Sequence, residues 1–167
     1  AASGASLRRG DHERIAGLCR RLDGVALAIE LAAARLPSLG LDGLEAGLSD
    51  RLELLTGGSR GNDRPRPLRA AVDWSYSLLR PLDQAVMRRV SVFAAPFAAE
   101  AATDVAAGWA PIAKGSVSGV LAALADQSLL VPVTGATGTR YRALETIRQY
   151  GRTRIDELGE HDVVRSR

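Results

Sequence analysis

The chain has 167 residues, of which 46% are hydrophobic, 25% charged and only 4% aromatic, so it can bury one core of ordinary size or two small ones. No apolar run approaches the roughly 20 residues of a membrane span, and the single cysteine, Cys19, excludes an internal disulfide, so we expect a cytoplasmic protein. Nearly all of the positively charged side chains are arginine, and the net charge of +3 is too small to indicate a nucleic-acid partner by itself.

The first part of the chain is predicted to hold three helices. Apolar residues at i, i+3, i+4 and i+7 indicate a buried helical face over residues 15–22. A second helix over residues 25–36 is apolar on most sides and is expected to stop at Pro37. Regularly spaced leucines indicate a third helix over residues 41–55. Together these helices predict a small bundle.

Residues 57–67, GGSRGNDRPRP, contain no large apolar side chain and are punctuated by glycine and proline. Such a stretch is typical of a linker, and its glycines can absorb the backbone rotation of a hinge. We therefore predict two domains, a helical subdomain over residues 1–60 and a winged-helix domain over residues 61–167.

The second part is predicted to be four helices, a hairpin and a closing helix. The helices are expected at 68–79, 81–93, 98–107 and 116–127, the strands at 129–133 and 140–143, and the last helix at 144–158. Helices followed by a hairpin and a further helix are the order of a winged helix. The predicted fold class is mostly α, a helical bundle followed by a winged helix with one β-hairpin.

Three segments in this order carry a family resemblance: CRRLDGVALAIELAAARL at residues 19–36, LRAAVDWSYSLL at 68–79 followed by RRVSVF at 88–93, and LETIRQY at 144–150. Together they resemble the NB-ARC-like class of STAND signal-transduction ATPases, in particular bacterial transcriptional regulators of the SARP- and LuxR-associated type. The resemblance implies the helical subdomain and the winged-helix region of such a regulator.

The resemblance also implies positions that would face a nucleotide in a full-length parent: Gly24, Val25, Ala26, Leu27, Leu144 and Glu145. Val25-Ala26 stand where the family motif has Leu-Pro, and Leu144 stands at the histidine of the Met-His-Asp sensor, where it cannot donate a hydrogen bond. The glycine-rich phosphate loop has no counterpart in the sequence, so we expect no cofactor for this fragment, although the parent would use ATP or ADP.

No pattern of an enzyme site is found, so we expect a non-catalytic protein without catalytic or metal-binding residues. His12 and His161 lie far apart and lack the spacing of metal ligands. Cys19 lies on the apolar face of the first helix, where a buried structural thiol is expected.

Two functions are compatible with this pattern. The first is a regulatory, non-catalytic fragment that couples an ATPase core to an effector through intramolecular or protein–protein contacts. The alternative is a winged-helix DNA-binding module. The predicted helix 116–127 has no basic residue, so DNA binding by this fragment is not expected. Arg148, Arg152 and Arg154 leave the alternative open, although Glu145 and Glu157 are spaced to pair with two of them.

Overall fold

The computed structural model describes residues 10–56, 67–106, 116–135 and 138–160, and of residues 49–56 the backbone alone. These ranges contain eight helices and one two-stranded antiparallel sheet, which confirms the predicted fold class. The chain divides into two compact units, Ala1–Ser75 and Tyr76–Arg167. None of the helices in the described ranges is both long and apolar enough to cross a membrane.

The first unit contains the helices α1 (Asp11–Arg21), α2 (Ala26–Ala33), α3 (Leu36–Thr56) and most of α4 (Pro67–Ser77). The predicted periodicity of α1 is confirmed at Leu18 and Leu22, which are buried. Further buried side chains in this unit come from the other three helices: Ala28, Leu31, Leu44, Leu48 and Trp74. The unit thus has its own apolar core.

The α2–α3 boundary differs from the prediction. Helix α2 ends at Ala33, and Pro37 lies in the first turn of α3. A proline is tolerated there because the N–H that it lacks would have no partner inside the helix. Gly40, with φ 66° and ψ 177°, then kinks α3, and this backbone conformation requires glycine. Pro37 therefore opens a short helical turn, and α2 already ends at Ala33 before this turn begins.

An ion cluster joins α1 to α3. Arg14 donates to both carboxylate oxygens of Glu45, with its Nη2 2.6 Å from Oε2, and it also binds Asp42. The hydrogen bonds from Arg14 hold the pKa of the Glu45 carboxyl below its ordinary value. The hydrogen bonds that Arg14 donates to Glu45 and Asp42 also raise the pKa of Arg14 itself.

The second unit contains the helices and strands of the predicted winged helix. Their bounds are α5 (Pro81–Val90), α6 (Ala99–Ala106), α7 (Val117–Asp126), β1 (Val131–Gly135), β2 (Gly138–Arg142) and α8 (Glu145–Glu157). Helix α5 contacts α6, α7 and α8 and so lies at the centre of the unit. Its core includes apolar side chains from α5, α7 and α8 and from the segment before β1: Val86, Met87, Val90, Leu121, Leu124, Leu129, Leu130, Ile147 and Ile155.

Helix α8 approaches α5 closely at Gly151, which is buried. A Cβ atom added at Gly151 would lie 2.6 Å from Ser91 Cβ and would also overlap Ser91 Oγ. The Ser91 hydroxyl is itself fixed, because it donates to the Met87 carbonyl at 2.8 Å. Only glycine permits this packing of α8 on the end of α5.

The predicted linker falls on residues whose structure is not described, apart from Pro67 at the start of α4. The domain boundary between residues 60 and 61, and the hinge with it, therefore stay predictions. The boundary between the two compact units falls later in the sequence, inside α4.

Candidate nucleic-acid interface

The wing is a hairpin in which Val131 pairs with Arg142, Val133 with Arg140 and Gly135 with Gly138. The strands therefore reach nearer to the tip than the predicted strands 129–133 and 140–143, since Thr134 and Thr139 also pair.

Phe97 pairs with the edge of β2 that lies opposite β1. Its N–H donates to the Tyr141 carbonyl at 2.9 Å, and the Tyr141 N–H donates to the Phe97 carbonyl at 2.8 Å. Backbone hydrogen bonds therefore hold β2 on both edges. Sequence patterns missed this pairing because one residue between Pro96 and Ala98 has no periodicity.

Two arginines project from β2. Arg140 and Arg142 are both exposed, and neither has a hydrogen bond or ion pair within the part of the chain that the structure describes. Because alternate residues of a strand point to the same face, both lie on the face opposite Tyr141. The wing thus presents two cations side by side from a strand that is paired on both edges.

Helix α7 follows α6 and occupies the position of a recognition helix. Its buried face is apolar, formed by Val117, Val120, Leu121 and Leu124. The exposed residues are Ser118, Gly119, Ala122 and Asp126. A serine hydroxyl near the start and a carboxylate at the end are therefore the polar groups of this face, so α7 offers little for contacts with base edges.

The basic residues of α8 are mostly paired within the helix. Arg148 donates to both carboxylate oxygens of Glu145 at 2.7 and 2.8 Å. Arg154 donates to Glu157 at 2.7 Å, and these two pairs confirm the pairing expected from the sequence. Arg152 is exposed and forms no ion pair with any described residue. Arg152 is therefore the best-placed cation of α8 for an external partner.

Two consecutive arginines of α5 point inward, which the sequence did not suggest. Arg88 binds both carboxylate oxygens of Glu160, at 2.7 and 3.3 Å, and donates to the Tyr76 hydroxyl at 2.6 Å. Arg89 donates to the carbonyl of Ala106 at 2.8 Å, at the end of α6. Burial lowers the pKa of Arg89. Helix ends leave carbonyls without partners, so Arg89 caps α6.

An aromatic cluster extends this buried network to α8. The Tyr76 and Tyr150 rings meet edge to face with centroids 5.4 Å apart. The Arg154 guanidinium lies 5.0 Å from the Tyr150 ring and 5.7 Å from the Tyr76 ring, and it donates to the Tyr150 hydroxyl. The cluster holds α8, and the strand that precedes it, against the rest of the unit.

The nucleotide-facing positions expected in the first unit lie in the turn between α1 and α2 and in the first residues of α2. Gly24 has φ 67°, and its N–H donates to the Cys19 carbonyl at 3.0 Å, which closes the end of α1. Val25 is extended and precedes α2, which begins with Ala26 and Leu27. Gly24 thus has a structural reason to be glycine, and contact of these four residues with a nucleotide stays a prediction.

The other two expected positions lie in the second unit, at the start of α8. Leu144 is the extended residue that precedes the helix, and its carbonyl accepts from the Arg148 N–H at 2.8 Å. Glu145 is exposed and accepts hydrogen bonds from Arg148 and Gln149, which hold the pKa of its carboxyl below the ordinary value. These hydrogen bonds of the Glu145 carboxylate stabilise the first turn of α8. A nucleotide-facing role for Leu144 or Glu145 stays a prediction.

Metal-binding and nucleophilic groups are not assembled in the described ranges. No group of three His, Cys, Asp or Glu side chains there could hold a metal ion. His12 is exposed, and His161 falls outside the residues with described structure. Cys19 is a free thiol that is half-buried, so the expectation of full burial was wrong.

Comparison with known proteins agrees with the fold of the second unit. Residues 79–156 match the family model of the winged helix-turn-helix domain. The second unit thus has the fold of a winged helix. The match begins just before α5 and ends one residue before the end of α8, so it includes the wing, the helices α5, α6 and α7, and nearly all of α8.

Two relatives from Mycobacterium tuberculosis (strain ATCC 25618 / H37Rv) match most of the chain. "Putative HTH-type transcriptional regulator Rv0890c" is 44% identical over 147 residues, which are 87% of this chain and 17% of that protein. "Uncharacterized protein Rv0894" is 39% identical over 151 residues, 90% of this chain and 38% of that protein. The chain therefore spans a minor part of the relatives that it matches. No solved structure matches it.

The family model agrees better with the alternative of a winged-helix DNA-binding module than with the coupling of an ATPase core, because it describes a winged helix-turn-helix domain. The expectation that this chain does not bind DNA is weakened accordingly.

Proposed function

We propose that the winged helix-turn-helix domain binds duplex DNA as part of a longer transcriptional regulator, through phosphate contacts of the wing. The observation that carries this proposal is the pair Arg140 and Arg142, exposed on one face of β2 and without partners in the described ranges. A guanidinium group donates in a planar fork that matches the geometry of phosphate oxygens. Such contacts fix a protein on DNA without reading its sequence.

The backbone beneath these arginines supports the proposal. Strand β2 is paired with β1 on one edge and with Phe97 on the other, so the two Cα positions are fixed. Little backbone order then has to be gained when the side chains bind, which lowers the entropic cost of the contact. A third cation, Arg152 on α8, is exposed and can add to the interaction.

Helix α7 sets the expected specificity. Base discrimination requires side chains such as arginine, asparagine or glutamine that reach base edges in the major groove. Among the exposed residues of α7, only Ser118 and Asp126 carry polar side chains, and the Asp126 carboxylate repels phosphate. We therefore expect binding with little sequence preference, so that a regulator containing this domain takes its sequence specificity from another region.

Fluorescence anisotropy with two short duplexes of unrelated sequence tests this proposal. Two phosphate contacts predict similar affinities for both duplexes and a slope of log K against log salt of about −2 between about 50 and 200 mM salt. The Arg140→Gln/Arg142→Gln variant should lose most of this slope. The Arg20→Gln/Arg21→Gln variant, which removes the same charge from exposed positions on α1, should retain it. Equal losses in the two variants would mean that binding depends on net charge alone, which would contradict a binding site on the wing.

The second candidate is the coupling role, in which this region transmits the state of an ATPase core to an effector through protein contacts. It is favoured by the small side chains on the exposed face of α7, which suit close packing against protein. The similarity to the relatives also extends over both units, as expected for one continuous module of a longer regulator. In either function the protein would work in the cytoplasm.

Hydrogen exchange tests the coupling role in a longer regulator that contains this region. Altered protection of the α7 amides on addition of ATP would support it. Unchanged protection with ATP bound would exclude it. Calorimetry with ATP and this chain alone should show no binding, because the sequence has no phosphate loop.

A further inference from the structure

An open pocket lies beside the wing, between the segment after α5, the start of α6 and strand β2. Its volume is about 500 Å³, within the range of small-molecule sites. Apolar side chains and alanines form nearly all of its lining, including Val92, Phe93, Pro96, Phe97 and Ala101. Arg140 is the one charged residue among those that line it.

The floor of this pocket is preformed. The Phe93 and Phe97 rings are stacked, with centroids 4.5 Å apart and planes inclined by 22°. Phe97 is fixed by its two backbone hydrogen bonds to Tyr141, and the residue is only 4% exposed. Phe93 is half-buried, and Pro96 beside the rings has no conformational freedom in φ. A flat apolar ligand would therefore meet an ordered surface.

From this arrangement we infer that the pocket binds a small aromatic carboxylate. The Phe93 ring, backed by the buried Phe97 ring, and Pro96 provide the apolar surface for a flat ring system, and alanines leave the space for it. Arg140 stands at the same pocket without a partner among the described residues, so its guanidinium is available to a carboxylate. The charge of the site selects an anion over a neutral or cationic compound of the same shape. This ligand site goes beyond the proposed DNA contact, and it is tested without DNA.

Titration of the full chain with 2-naphthoate and with the neutral 2-naphthamide, followed by amide NMR shifts, tests this site. The amides of Phe97 and Tyr141 should shift with 2-naphthoate, since their hydrogen bonds form the edge of the pocket. Arg140→Gln should weaken 2-naphthoate about tenfold, the loss of one charge-assisted hydrogen bond, and should leave 2-naphthamide unchanged.

Two further variants separate charge from shape. Arg142→Gln removes an equal charge two residues away, outside the pocket lining, and should leave the binding of both compounds unchanged. Ala101→Leu fills the pocket and should abolish the binding of both. Absence of 2-naphthoate binding at millimolar concentration, or equal weakening by Arg140→Gln and Arg142→Gln, would overturn the assignment.

Discussion

Helix α5 and strand β2 each contribute two arginines, with opposite environments. Arg88 and Arg89 on α5 are 8% and 5% exposed, and each donates to a partner inside the unit. Arg140 and Arg142 on β2 are exposed and find none in the described part of the chain. The first pair therefore contributes to folding, and the second is available for an external anion.

The difference shows why the composition of this chain says little about its partners. A buried guanidinium is tolerated only when a carboxylate or carbonyl compensates for the lost water, and Glu160 and the Ala106 carbonyl do so here. An exposed guanidinium has no such requirement. The net charge of +3 counts both kinds equally, so only the structure separates structural arginines from available ones.

The largest expected effect follows from breaking the buried pair. Arg88→Met should lower the free energy of unfolding by about 3–5 kcal/mol, because Glu160, 6% exposed, loses its ion pair and Tyr76 loses a hydrogen bond. Urea denaturation followed by circular dichroism measures the change. The double variant Arg88→Met/Glu160→Met should recover part of the loss, since no charge stays buried. A loss below about 1 kcal/mol in the single variant would show that the pair is not buried in solution.

A smaller effect is expected where the same helix meets α8. Gly151→Ala places a methyl group against Ser91 and should cost about 1–3 kcal/mol of unfolding free energy. Gly119→Ala is the matched control, because nothing lies within 4 Å of a Cβ on this exposed residue of α7. It should stabilise the domain by up to about 1 kcal/mol through helix propensity. Stabilisation by both substitutions would contradict the close approach of α8 to α5.

Periodicity predicted the existence and order of the elements, because amphipathic helices and a hairpin bounded by glycines are determined by local sequence. Contacts between residues far apart in the sequence could not be predicted from local patterns. The burial of Arg88 depends on Glu160, 72 residues later, and the requirement for Gly151 depends on Ser91. The prediction at Pro37 is wrong because a proline in the first turn of a helix gives the same local signal as a proline that stops the helix before it.

The candidate site was predictable only in part. The lack of cations on α7 and the Glu145–Arg148 pairing could be deduced from the sequence, since both concern residues within one helix. The shared face of Arg140 and Arg142 follows from strand alternation, but their lack of partners does not. The pocket needed the pairing of Phe97 with Tyr141, which brings α6 and the wing together.

The exposed arginines should have little effect on stability and a measurable one on binding. Arg142→Gln should change the free energy of unfolding by less than about 0.5 kcal/mol, as is usual for an exposed side chain. The slope of log K for DNA against log salt should become shallower by about 1. Arg89→Gln should show the reverse, a stability loss with an unchanged salt slope. A large loss of stability in Arg142→Gln would place this arginine among the structural ones.

Arg14 is intermediate between the two kinds of arginine, since it is partly exposed and bound to Glu45 and Asp42. The effect of this cluster on stability is expected to be the smallest, and it depends on pH. Arg14 lowers the pKa of Glu45 in the folded chain, so the unfolded chain, with a glutamate pKa of about 4.3, takes up the proton first as the pH falls. The stabilisation is therefore complete above about pH 4.3 and is lost as the pH falls through the lower folded pKa. Glu45→Gln should reduce Tm near about pH 6, and its difference from the wild type should shrink below about pH 4. Glu13→Gln is the control, because Glu13 is an exposed carboxylate on α1 without an ion pair in the described ranges. Its effect on Tm should change less with pH than that of Glu45→Gln. An equal change in the two variants would argue against the Arg14 cluster.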